Sequence, residues 1–94
     1  MLGRASEELP LLRRIFMERD LQRCREEILS DQKLKSLGVA LSLSQDEVIL
    51  IHCPSSIALS YCRGRERIFR EELGPMMKKW NLTELRIILS KHDI

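Results

Sequence analysis

The stretch from Val48 to Leu73 constrains the fold more than any other part of the sequence. It begins with the apolar run Val-Ile-Leu-Ile-His-Cys, is interrupted by a Pro-Ser-Ser turn, and continues at once with helical spacing. Ser55 and Ser56 supply hydroxyls that can cap the free backbone N–H groups of a new helix. We therefore predict a strand over residues 48–53 and a helix from Ser55 to about Leu73.

The residues before this unit predict a long helix and the first strand of a hairpin. Ser6 and the acids after it are typical of a helix start, and helical spacing continues to about Leu29. Asp31 and the serine before it either end this helix or cap a short one, which Gly38 then stops. The alternation over residues 39–43 predicts a strand, which a polar turn joins to the apolar strand that follows.

The apolar residues of the first helix form two sets whose directions differ by about a quarter turn. The sets are Leu9, Leu12 and Phe16, and then Met17, Leu21, Cys24 and Ile28. Either the buried face is wide, or the helix breaks near Asp20. The stripe is most simply core, with Phe16 inside, although its width could present a ridge to another protein. Met17 and Leu21 are the candidate protein-binding residues of this helix. Trp80, in the second half of the chain, is a third candidate.

Glycine and proline divide the second half of the chain. Gly64 either permits a close backbone approach or marks a kink between two shorter helices. Gly74-Pro75 punctuates the chain before a short helix from Met76 to Trp80, and residues 83–89 alternate like a strand.

The element order is therefore helix, strand, strand, helix or broken helix pair, strand. It predicts one α+β domain over residues 1–94, in which helices cover one face of a small three-stranded sheet. A hairpin followed by a right-handed crossover to the last strand makes this domain K-homology-like.

Composition bounds the class of protein. The chain has 94 residues, a net charge of +2 and 44% hydrophobic residues, which suits one modest core. Residues 48–94 hold eight Lys or Arg against five Asp or Glu, so the basic surplus lies in the second half. No segment approaches about 18 apolar residues, and the N-terminus holds charges where a secretory signal needs apolar residues. We expect a cytoplasmic protein without membrane contact.

The cysteines and histidines give no legible catalytic or metal site. Cys24, Cys53 and Cys62 are odd in number and lack metal-type spacing, which favours reduced thiols. His52 with Cys53 and Cys62 lacks a fourth ligand, and neighbouring strand residues point to opposite faces. We predict no catalytic residue, metal, cofactor or small-molecule substrate, and hence no enzyme.

Basic residues after the Ser-Ser junction are the most concrete functional signal. Arg63, Arg67 and Arg70 have i, i+4, i+7 spacing, so on one helix their guanidinium groups share a face that can bind phosphate. Lys78 and Lys79 follow nearby. The alternative is a solvated face neutralised by interleaved glutamates at i+3 or i+4. Because the chain has no G-x-x-G loop, readout of base identity is not expected.

Residues 45–89, QDEVILIHCPSSIALSYCRGRERIFREELGPMMKKWNLTELRIIL, resemble the DciA family of bacterial replicative-helicase operators. The shared pattern is a polar turn, an apolar strand, the Ser-Ser junction, a helix, a spacer and a closing strand with an arginine. That family is similar in fold to the N-terminal domain of the initiator DnaA. The resemblance implies a non-enzymatic adaptor in DNA replication that engages the replicative helicase and contacts DNA phosphates.

A second resemblance is to the ribosome-maturation factor RbfA. It rests on ILSDQKLKSLGVALSLSQDEVIL and on the pairing of IFREELG with LTELRIIL. It implies an RNA-binding role for the same basic residues. A third possibility is a module that binds only protein, through the first helix.

Overall fold

The computed structural model describes residues 2–90, with side chains from residue 11 onward. Four helices and three strands follow one another in the predicted order, which confirms the α+β class. They are α1 (Leu2–Ile28), α2 (Gln32–Ser36), β1 (Ala40–Leu43), β2 (Ile49–Cys53), α3 (Ser56–Arg63), α4 (Glu66–Trp80) and β3 (Leu85–Leu89).

The three strands form a mixed sheet in the order β1-β2-β3. The predicted hairpin is confirmed, since β1 and β2 are antiparallel with Leu41 opposite Ile51. β3 lies parallel to β2 on its other side, with Leu85 opposite Ile49. All four of these side chains are buried and lie on the same face of the sheet, because side chains alternate along a strand. The central position predicted for β2 is therefore correct.

Side-chain capping fixes where two of the helices begin. The Ser55 hydroxyl accepts a 3.1 Å hydrogen bond from the Ala58 N–H at the start of α3, as the Ser-Ser junction predicted. The Asp31 carboxylate accepts a 2.9 Å bond from the Lys33 N–H at the start of α2. Gly38 follows this short helix with φ +74°, a left-handed conformation that glycine adopts without strain.

The helix is interrupted between Arg63 and Glu66, so of the two alternatives left open for Gly64 the structure shows the kink between two shorter helices. The Arg65 N–H bonds to the Cys62 carbonyl, which tightens the last turn of α3. The chain changes direction here because α3 packs on β2 and β3, whereas α4 packs on α1. A single helix carrying Arg63, Arg67 and Arg70 on one face is therefore wrong.

Gly74-Pro75 does not interrupt α4, so the prediction of a separate helix from Met76 is also wrong. Proline normally clashes with the Cβ of the residue before it, and Gly74 has none. Leu73 and Met76 on either side of the pair are both buried, so packing holds the helix through the missing N–H bond.

α1 is continuous past Asp20, and its second apolar set faces the core. Met17 is fully buried, Leu21 and Ile28 nearly so, and Cys24 is half-buried. The helix begins at Leu2, before the start predicted at Ser6.

The first apolar set faces solvent instead of widening the core. Phe16, which was predicted to lie inside, is 47% exposed, and Leu12 is 44% exposed. Leu9 of the same set lies outside the described side chains. The helix therefore neither breaks nor buries a wide face, and part of its apolar surface stays open.

Candidate nucleic-acid interface

The turn between α3 and α4 gathers three arginines within five residues. We call residues 63–67 the arginine turn: Arg63, Arg65 and Arg67 flank Gly64 and Glu66. Arg63 is exposed, and the Arg67 side chain is 92% exposed. Among the described residues Arg63 and Arg65 make no ion pair, although the half-buried Arg65 lines a cleft with Glu27, Asp31 and Glu72.

Arg65 is held in place by an aromatic ring. Its guanidinium carbon lies 4.6 Å from the centre of the Tyr61 ring, a cation–π contact that orients the group without using its N–H donors. Arg65 also occupies the N-cap of α4, where no side chain caps the helix. The positive end of the α4 dipole therefore adds to the charge of the arginine turn.

Two of the predicted phosphate-binding arginines are paired along α4. Nε of Arg67 lies 3.4 Å from Oε1 of Glu71, and Nε of Arg70 lies 3.3 Å from Oε2 of Glu66. Both are i+4 pairs with glutamate, as expected for the alternative interpretation of a solvated and neutralised helix face. Because all four side chains are at least half exposed, each pair contributes little free energy and leaves other N–H donors for a ligand.

The two predicted lysines of α4 lie on different sides of the helix. Nζ of Lys79 is 3.1 Å from Oδ2 of Asp20 on α1, so Lys79 faces α1 and is occupied there. Lys78 is about 100° away around the helix, is exposed, and makes no ion pair with the described residues. The five predicted basic residues therefore do not form one surface.

The predicted protein-binding residues are mostly internal. Met17 and Leu21 belong to the core, so they are not available to a partner. Trp80 is half-buried against α1, where its Nε1–H donates a 2.7 Å hydrogen bond to Asp20. The exposed apolar surface of α1 instead includes Leu11 and Ile15, which the sequence analysis missed. Their signal was their own i, i+4 spacing, which is the spacing of Leu12 and Phe16 as well.

The buried thiols are poor nucleophiles. Cys53 and Cys62 are both fully buried, and burial raises the pKa of Cys62 to about 12 and also raises the pKa of Cys53. The hydroxyl of Ser42 lies 2.6 Å from Nε2 of His52 on the neighbouring strand. Among the side chains described, from residue 11 to residue 90, no group of three or more His, Cys, Asp or Glu could hold a metal ion.

Comparisons with known proteins find no matching family model, no similar curated protein and no similar solved structure. Across the described part of the chain, no helix is both long enough and apolar enough to span a membrane.

Proposed function

We propose that this chain is a non-enzymatic, K-homology-like adaptor that binds nucleic-acid phosphates through the arginine turn. The observation that carries the proposal is the grouping of Arg63, Arg65 and Arg67 around an exposed glycine at the start of α4. By its resemblance to the DciA family, the chain would act in the cytoplasm in bacterial DNA replication, with the replicative helicase as its protein partner.

Phosphate fits the arginine turn by charge and by geometry. Guanidinium groups bind phosphate oxygens with two parallel N–H donors, and the turn offers two arginines without ion pairs. A phosphate there would also meet the positive end of the α4 dipole. Within α4, Arg70 would extend the contact along the nucleic acid once its exposed pair with Glu66 rearranges, and the exposed Lys78 would add a further charge.

Base identity would contribute little to binding. Beside the arginine turn, Arg65 already covers one face of the Tyr61 ring. Trp80 is committed to Asp20, and Lys79 and Arg13 also lie over its ring. Because the Tyr61 and Trp80 rings are both occupied in this way, backbone contacts should dominate, and binding should fall steeply with salt.

The test is a fluorescence anisotropy titration of labelled single-stranded DNA. Arg63→Glu with Arg67→Glu should abolish salt-sensitive binding, because two phosphate contacts are replaced by repulsion. The matched control is Arg23→Glu with Arg86→Glu, which makes the same charge change on α1 and β3 and should retain most of the affinity. Unchanged binding in the first variant, or equal loss in both, would remove the arginine turn as the site.

The partner assignment has its own test. The immobilised chain should retain the replicative helicase from a bacterial lysate, and the charge-reversed variant should show whether the arginine turn takes part. Co-sedimentation of the chain with the small ribosomal subunit, without helicase, would instead favour the RNA-binding role implied by RbfA. Helicase capture that persists in the variant would assign the arginine turn to nucleic acid alone.

A further inference from the structure

Four large apolar side chains lie exposed on α1, on the side of the helix opposite the core. Leu11 is 66% exposed, Leu12 44%, Ile15 44% and Phe16 47%. Because they occupy two i, i+4 pairs, they form one patch over about one and a half turns, which we call the apolar ridge. Met17, the next residue, is fully buried on the far side of the same helix.

The basic residues beside the ridge are fixed to the body of the protein. Arg13 pairs with Glu47, with Nε 3.1 Å from Oε2, and also donates to the Trp80 carbonyl. Arg14 donates 2.7 Å hydrogen bonds to the carbonyl oxygens of Leu43 and Ser44. These contacts fix the rotation of α1, so the ridge is held outward.

Charged residues flank the ridge symmetrically. Glu8 precedes its first residue by three positions and Arg19 follows its last by three. They are eleven residues apart, close to three full turns, so both positions fall within about 20° of one line along the helix. That line runs through the middle of the ridge. Among the described residues, the exposed Arg19 makes no ion pair.

From this symmetry we propose that the apolar ridge binds the ridge of a second copy of this chain, with the two α1 helices antiparallel. Antiparallel pairing centred on the ridge places Glu8 opposite Arg19 of the second copy, and the same pair forms again at the other end. Parallel pairing would oppose Glu8 to Glu8 and Arg19 to Arg19. Charge complementarity therefore selects the antiparallel dimer.

The ridge is too small for a permanent dimer. Its four side chains expose on the order of 400 Å², about half of what each partner in a stable interface buries. The remaining area must come from the flanking turns of α1. The dimer is therefore reversible, and a monomer remains at low concentration.

This geometry also separates the two candidate surfaces. Arg65 shares a cleft with Glu27 and Ile28, at the C-terminal end of α1. The ridge is centred about fourteen residues earlier, on the order of 20 Å along the helix. The dimer would therefore leave both arginine turns open at opposite ends, and it does not depend on their binding nucleic acid.

Sedimentation velocity over a range of chain concentrations tests the dimer. The wild-type chain should shift toward the dimer at roughly 200 µM and return to monomer on dilution. Ile15→Asp with Phe16→Asp should remain monomeric, with an unchanged far-UV circular dichroism spectrum. The matched control is Ile57→Asp, which places a charge at a 71% exposed apolar residue on α3 and should still dimerise. A wild-type chain that stays monomeric, or a ridge variant that still dimerises, would overturn the proposal.

A charge swap tests the orientation. Glu8→Arg alone and Arg19→Glu alone should each weaken dimerisation at low salt, because each opposes like charges at both ends. The double variant Glu8→Arg with Arg19→Glu should restore it, since the swapped charges again complement one another. If the double variant is as weak as the singles, the antiparallel register is wrong.

Discussion

The two faces of α1 use similar residues for opposite purposes. Phe16 and Met17 are neighbours in the sequence, both large and apolar, yet Phe16 is 47% exposed and Met17 is fully buried. One turn later, Arg19 lies exposed, and Leu21 lies in the core. Apolar character alone therefore does not decide which side of this helix is buried.

Polar contacts at the borders of the buried stripe decide it. On one border, Asp20 accepts a hydrogen bond from Trp80, and Arg13 donates a hydrogen bond to Glu47. On the other border, Arg14 binds the end of β1 through two carbonyl oxygens. Rotating α1 to bury Phe16 would break contacts on both borders. Polar contacts at its two edges can therefore specify a narrow core stripe, and the outer apolar residues of the helix then stay exposed to a partner.

The largest expected effect separates the two neighbours directly. Met17→Asp should destabilise the fold by about 4 kcal/mol or more, because it places a charge at a fully buried position. Since small domains have only about 5–15 kcal/mol of stability, much of this variant should be unfolded. Phe16→Asp should change the free energy of unfolding by about 0.5 kcal/mol or less at concentrations where the chain is monomeric.

Urea denaturation followed by circular dichroism checks this pair, with both variants at the same low concentration. Similar losses in the two variants would show that Phe16 packs against the body of the protein. The two faces of α1 would then not differ as described.

Much of the fold followed from local patterns. The hairpin, the central β2 and the cap at Ser55 depend on alternation and on residues within one turn of each other, and all three are confirmed. The two apolar sets of α1 were also visible as a quarter-turn offset. The sequence did not show which of the two sets would be buried, because that depends on contacts with Trp80 and the end of β1, which are distant in sequence.

Two glycines show the same limit. The helix is interrupted at Gly64, whereas α4 continues through Gly74-Pro75, although proline is the stronger local signal for a helix end. The difference arises from packing, since α3 contacts the sheet and α4 contacts α1. The arginine turn exists because of that break. Helical spacing predicted that Arg63 shares a face with Arg67 and Arg70. The interruption of the helix instead places Arg63 in a turn with Arg65.

The next largest effect concerns the border at Asp20. Its carboxylate is only 15% exposed, lies 3.1 Å from Nζ of Lys79, and accepts the Trp80 indole hydrogen bond of 2.7 Å. Asp20→Ala should cost about 1–3 kcal/mol, because it leaves a half-buried indole N–H without its acceptor. Glu18→Ala, which removes an exposed carboxylate on the same helix, should cost about 0.5 kcal/mol or less.

The same contact gives a pH dependence with a definite sign. The Trp80 hydrogen bond, followed by Lys79 and Arg23, lowers the pKa of Asp20 below its ordinary value. A lowered folded-state pKa stabilises the fold at pH values above the unfolded pKa, and this stabilisation is lost as pH falls through the folded pKa. The stability gap between wild type and Asp20→Ala should therefore be full at about pH 7 and narrow toward about pH 2. A gap that is constant over this range would show that the carboxylate charge is not what holds the border.

The smallest expected effect compares Arg14, on the border of α1 next to β1, with Arg19 on the outer face. Arg14→Ala should cost about 1 kcal/mol, because it removes charge-assisted hydrogen bonds to the carbonyl oxygens of Leu43 and Ser44. Arg19→Ala should leave the monomer within about 0.5 kcal/mol of wild type, since Arg19 is exposed on the outer face. Urea midpoints at low concentration measure both changes in stability. At higher concentration, Arg19→Ala should weaken dimerisation more than Arg14→Ala does. If Arg14→Ala is as harmless as Arg19→Ala, the rotation of α1 is set by its apolar residues alone, and polar contacts at the borders do not hold the ridge outward.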